Sequence, residues 1–164
     1  MLISAQLAQA INTQIGNEYS AGLQYQAIAA HFQRANLMLL AKLFFAQADE
    51  ERQHAEKLLH YVLDTKGELR IPGAREPVHT FASAEAAVEA ALKWEIEVTG
   101  QIGRLMDIAN AENDYLAQGF LQWFVDEQLE EVNKMDRLLN VIRMSGDRNL
   151  IMVEAYLVHG SGDA

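Results

Sequence analysis

A chain of 164 residues, half of them hydrophobic, can bury a sizeable core and is expected to form a single domain over 1–164. Its 13 basic against 23 acidic residues leave a net charge of −10, which argues against a surface built for nucleic acid or an anionic membrane and favours cationic partners. Cysteine is absent, so neither a disulfide framework nor a thiolate metal site can form.

The opening Met1-Leu2-Ile3-Ser4 has no basic segment followed by an apolar one, and no stretch approaches the length of a membrane span, so a soluble cytoplasmic protein is expected. Ser4 is placed to cap a first helix reaching about Arg34, whose stripe reads Leu7, Ile11, Gln14, Glu18, Gly22, Tyr25, Ile28, Phe32. A turn near Ala35-Asn36 leads to a second helix from about Leu37 to Thr65, with the stripe Leu40, Phe44, Gln47, Glu51, His54, Leu58, Tyr61. So short a connection makes the two antiparallel neighbours. Both prolines, Pro72 and Pro77, fall with Gly67 and Gly73 in a stretch over 66–82 where the periodicity lapses. That stretch is long enough to run the length of a bundle, with Val78, Thr80 and Phe81 extended if anything.

Ser83 caps a third helix to about Asn110, with the stripe Val88, Leu92, Glu95, Thr99, Ile102, Met106. The turn Ala111 to Asn113 joins a fourth helix to about Met144, with the stripe Leu121, Phe124, Gln128, Glu131, Met135, Leu138, Ile142, and Ser145-Gly146-Asp147 stops it. A short fifth helix over about 148–158 carries Leu150, Val153 and Leu157 before a polar tail, 159–164. The expected fold is all-α: an antiparallel four-helix bundle over about 4–145, with a long crossover between helices two and three and a short fifth helix.

Each long helix carries one carboxylate near the middle of its stripe: Glu18, Glu51, Glu95 and Glu131. At about 1.5 Å per residue, antiparallel packing brings the four towards one level. Glu51 and His54, three positions apart, sit roughly 60° apart around the helix and about one turn along it, so both can reach one ion. Buried ionised carboxylates need compensating charge, and no lysine or arginine occupies the stripes at that level, so a metal is expected. Carboxylates with one imidazole and no sulfur suit Fe(II), Mn(II) or adventitious Zn(II). A carboxylate shared between two ions, such as Glu51, is the arrangement used to activate a small molecule, and a di-iron site is expected.

Asn17-Glu18-Tyr19-Ser20-Ala21, Glu50-Glu51-Arg52-Gln53-His54-Ala55, Glu95, and Trp123-Phe124-Val125-Asp126-Glu127-Gln128 with Glu130-Glu131 together resemble the non-haem bacterial and archaeal ferritins over nearly the whole chain. The resemblance implies a first iron site of Glu18, Glu51 and His54, and a second of Glu51, Glu95 and Glu131 with Gln128 beside it. It also implies a third site of Glu50, Glu127, Glu130 and Glu131 on the inward side, and a tyrosine, Tyr25, adjoining the iron pair. Trp123 matches a nearby aromatic of the fourth helix. Arg52 stands where haem-containing bacterioferritins have a ligating methionine, and Glu127-Gln128-Leu129-Glu130 lacks their second Glu-x-x-His, so haem is not expected. The implied activity is ferroxidase: Fe(II) is oxidised by O2 or H2O2 and Fe(III) is stored as a ferric oxyhydroxide mineral inside a homo-oligomeric cage of 24 subunits.

Plainer readings apply elsewhere. Leu121, Phe124 and Met135 are core; Tyr25 and Trp123 taken alone are packing residues. His31, His60, His79 and His159 read as surface or loop residues, and Glu97 as facing solvent or a neighbouring subunit. Glu50, Glu127 and Glu130 are flank positions that acidic helices ordinarily leave solvated. Glu112 and Asp114 complement a helix dipole. Two other classes compete with storage: a di-iron oxygenase or peroxidase on the same bundle, and a non-catalytic helical interaction protein.

Overall fold

A computed structural model of the chain describes residues 2–160 and contains α1 (Ala5–Arg34), α2 (Met38–Asp64), α3 (Ala84–Ala111), α4 (Tyr115–Ser145) and α5 (Leu150–Gly160), with a single 3-10 turn at Asp147–Asn149 before α5. The expected bundle, crossover and fifth helix are all present; His159 and Gly160, expected in the tail, instead continue α5, and the rest of that tail, 161–164, lies outside the described residues. No described helix is long and apolar enough to cross a membrane.

Local chemistry sets the helix ends. Ser4 and Ser83 accept hydrogen bonds from the backbone N–H of Leu7 and Ala86, and Asp114 accepts from that of Ala117, each filling part of an otherwise unsatisfied first turn. The tight turns after α1 and α3 place Asn36 and Asn113 at φ 60° and 54°, left-handed positions that asparagine tolerates better than most residues. Gly146, at φ 69°, ends α4. Leu37 gives α2 no side-chain cap of its own. Glu154 of α5 supplies one instead, accepting from the N–H groups of Leu39 and Leu40.

α1 packs on α2 and α3 on α4, and the two pairs close on each other. The crossover runs beside α1 without regular structure and is stitched to it by side chains. Asn12 donates to Glu68 O (2.8 Å) and accepts from Arg70 N (3.0 Å). Ser20 accepts from Arg75 N, and Gln24 both donates to Val78 O and accepts from Val78 N. Asn12, Gly16, Ser20 and Gln24 recur every fourth residue, one line along the helix. A methyl group at Gly16 would overlap Pro72, so glycine is what lets the crossover lie this close.

The stripes of α1, α2 and α4 are buried at every position expected. On α3 the outcome differs: Val88, Ala91, Glu95, Val98, Ile102, Leu105 and Ala109 are buried, Leu92 and Met106 are only half-buried, and Thr99 is exposed. The expected stripe stepped four residues beyond Glu95, whereas the buried face steps three. The apolar core falls into two clusters, one around Tyr25, Phe32, Phe44, Met135 and Ile142, the other around Leu7, Ile11, Leu58, Ile102 and Leu121. Between them lies a polar layer.

Candidate metal centre

That layer holds Glu18, Glu51, His54, Glu95, Gln128 and Glu131, each no more than 5% exposed. Central stripe positions on the four facing helices bring them together. Glu18, Glu51 and His54 offer one ligand atom each, all within 4.8 Å of one another. His54 Nδ1 lies 3.4 Å from Glu51 Oε2, and its Nε2 lies 3.9 Å from Glu127 Oε1.

Amide side chains fix the carboxylates. Gln14 donates to Glu18 Oε1 (2.8 Å) and to Gln101 Oε1 (3.0 Å). Gln47 donates to Glu131 Oε2 (2.5 Å) and to Glu51 Oε1 (3.3 Å), tying α2 to α4 across the layer. Gln128 donates to Glu95 Oε2 (3.1 Å) and to the Glu95 carbonyl (3.2 Å). The Tyr25 hydroxyl donates to Glu95 Oε1. Glu18 Oε2 is buried and has no hydrogen-bond partner.

Electrostatics follow from that crowding. Burial pushes the Glu18 carboxyl well above the usual range, and the neighbouring Glu51 charge adds to it. Glu51 is raised well above its ordinary value by burial and then by the Glu95 charge. Glu95 is raised by burial, opposed by the hydrogen bonds from Tyr25 and Gln128. Burial pushes Glu131 up to about 7 despite a nearby ammonium. Two like charges at this separation repel by roughly 3–4 kcal/mol at an effective dielectric near 20. A multivalent cation relieves both burdens at once, desolvation and mutual repulsion, and the all-oxygen set with one imidazole suits first-row divalent ions.

The ammonium is that of Lys134, 3.1 Å from Glu50 Oε2 and 3.6 Å from Glu131 Oε1. The stripes themselves carry no lysine or arginine at this level, as expected, but the conclusion that the carboxylates lack a nearby positive charge is corrected: position 134 is off the stripe, and its long stem carries the charge back one turn. Of the remaining flank residues, Glu50 and Glu127 are half-buried beside the layer, while Glu130 is exposed. Trp123 is half-exposed, with its ring edge-on to His54 at 5.4 Å and the Lys57 ammonium over its face. His31 packs edgewise on Phe32 and Phe81; His60, His79, His159 and Glu97 are on the surface.

Gln14 and Gln47 were visible only as stripe members. Their work was signalled by an uncharged amide four residues before each of Glu18 and Glu51, a spacing that lets a donor meet a carboxylate one turn on.

The chain matches the ferritin family model, described as a ferritin-like domain, over residues 8–145. It is 43% identical over 147 residues to the ferritin BfrB of Mycolicibacterium smegmatis, covering 90% of this chain and 81% of that protein. It is 33% identical over 146 residues to the bacterial non-heme ferritin of Staphylococcus aureus, covering 89% and 88%. Its backbone is similar to that of an open-pore ferritin from the hyperthermophilic archaeon Archaeoglobus fulgidus, with a TM-score of 0.92, 30% identity, and coverage of 95% and 96%.

Proposed function

The chain belongs to the ferritin family, whose members bind and store iron, and from that premise we propose that it oxidises Fe(II) inside each subunit and deposits Fe(III) as a ferric oxyhydroxide mineral within a cage of identical subunits. In this reading Glu18, Glu51 and His54 take the first iron, and Glu51, Glu95 and Glu131 take the second, with Gln128 beside it. Glu50, Glu127, Glu130 and Glu131 take a third ion on the inward side. Tyr25 holds Glu95 in place through its hydroxyl.

The observation that carries the proposal is the convergence of Glu18, Glu51 and His54, one ligand atom each within 4.8 Å, with Glu18 Oε2 buried and given no donor by any amide or hydroxyl of the layer. An orphaned carboxylate oxygen at such a position is costly, and an ion bound between the three side chains supplies the missing contact. Oxygen ligands stabilise Fe(III) over Fe(II), which gives the oxidation its direction. Two Fe(II) release two electrons, enough to reduce dioxygen to peroxide or peroxide to water. A neutral amide at Gln128 holds the second ion less firmly than a carboxylate would, which suits product release.

Storage needs an enclosed volume that one bundle lacks. A cage of 24 copies of this 18.4 kDa chain, roughly 440 kDa, meets that need. Ile151, Met152, Tyr156 and Val158, exposed on α5, offer apolar contacts for it. In this reading the whole chain, 1–164, acts as one domain in the cytoplasm.

The test is addition of Fe(II) in air to the assembled protein. A fast rise in visible absorbance followed by a soluble amber mineral is expected, and Glu51→Ala or His54→Ala is expected to slow the initial phase by about a hundredfold, the loss typical of an essential group. An initial rate unaffected by either substitution overturns the proposed centre.

A further inference from the structure

We infer that Lys134 is the resident counter-cation of the inward carboxylates, and that its ammonium competes directly with a metal ion for Glu50 and Glu131. The inference rests on the proposed third site but concerns a residue which that site does not include. Among the described residues, Lys134 is the one lysine or arginine paired with a carboxylate of the buried layer. It joins two helices, contacting Glu50 of α2 and Glu131 of its own α4.

An ion held by Glu50, Glu127, Glu130 and Glu131 draws on the same two carboxylates that Lys134 Nζ faces at 3.1 and 3.6 Å. Both cannot use them fully. The Lys134 side chain is 38% exposed, so its head can swing into solvent on a flexible stem when a divalent ion arrives. When the ion leaves, the ammonium returns and the carboxylates are neutralised again. This residue therefore weakens metal retention at the inward position and keeps that position a place of passage. It also lets the metal-free layer tolerate Glu131, which lacks the charge compensation that a bound ion would bring.

The experiment is calorimetric titration of the assembled, metal-free protein with Zn(II), a redox-inert probe of carboxylate and imidazole sites. The unsubstituted chain is expected to show two tight equivalents per subunit and a weaker third. Lys134→Gln is expected to tighten the third by about tenfold, the effect of removing a competing partly exposed ion pair with two acceptors. Lys134→Arg keeps the charge and is expected to leave the third weak. A melting midpoint lowered by Lys134→Gln without metal, with a larger rise on saturating Zn(II) than the unsubstituted chain shows, separates competition from mere packing. A third equivalent of equal affinity in the unsubstituted chain and Lys134→Gln, with the two tight equivalents intact, overturns the role of Lys134 and leaves the paired centre standing. Absence of the two tight equivalents from the unsubstituted chain overturns the centre and this inference with it.

Discussion

Both carboxylate oxygens of Glu154, on α5, face the backbone N–H of Leu39, at 3.1 and 2.9 Å, and one also accepts from Leu40. The last helix of the chain thereby caps the first turn of the second, where Leu37 offers no side-chain oxygen and the helix dipole favours a negative charge.

Glu154→Ala is expected to cost about 1–2 kcal/mol of stability, the usual loss of a charged cap. Glu154→Gln, which keeps a carbonyl acceptor, should cost less. Denaturant unfolding of the two variants measures this, and equal losses would show that charge contributes nothing to the contact.

The metal-free protein should weaken as pH rises. A carboxyl whose pKa is higher folded than unfolded binds more protons in the folded state, so its contribution is full in acid and is lost as pH climbs through the folded value. For Glu131 that window runs from about 4.5 to about 7, and Glu18, Glu51 and Glu95 shift in the same direction. A loss on the order of a few kcal/mol between pH 5 and 8 is expected. Saturating Zn(II) should reverse the slope, since ions bind the deprotonated groups. Melting midpoints across this range, with and without Zn(II), check both arms; a rising profile in the metal-free protein contradicts the buried charges.

Tyr25 is fully buried and its hydroxyl donates to Glu95, while burial and the Glu95 and Glu51 charges raise its own pKa well above the usual value. The phenol therefore stays a donor at every working pH. Tyr25→Phe is expected to cost about 1–3 kcal/mol without metal by leaving a buried carboxylate oxygen short of a partner. With Zn(II) bound the loss should shrink, because the ion takes over at Glu95. Equal losses in both states would place Glu95 outside the metal's reach.

Most of the architecture could be read from periodicity, because the long helices hold their apolar faces with few interruptions. Ser4 and Ser83 marked two starts through the capping chemistry they in fact perform. Thr99 was misplaced because a step of three or of four both fit a helix turn, and only the packing of Val98 against the core decides between them. Lys134 escaped notice for a different reason: stripe arithmetic follows the Cβ, whereas a lysine acts at the far end of four methylenes. The stitching of the crossover by Asn12, Ser20 and Gln24 was also missed. A second polar line on α1 looks like a solvated face until something is known to lie on it.

That stitched crossover has a bearing on the candidate metal centre it never touches. The irregular segment is the covalent link between α2 and α3, and a slide of α3 by one turn, about 5.4 Å, would carry Glu95 away from Glu51. Asn12, Ser20 and Gln24 hold the segment at three successive heights of α1, and Gly16 lets it lie flush. The outer surface thus serves as a vernier for the interior, so damage there would shift Glu95 relative to Glu51 without altering any side chain of the buried carboxylate layer.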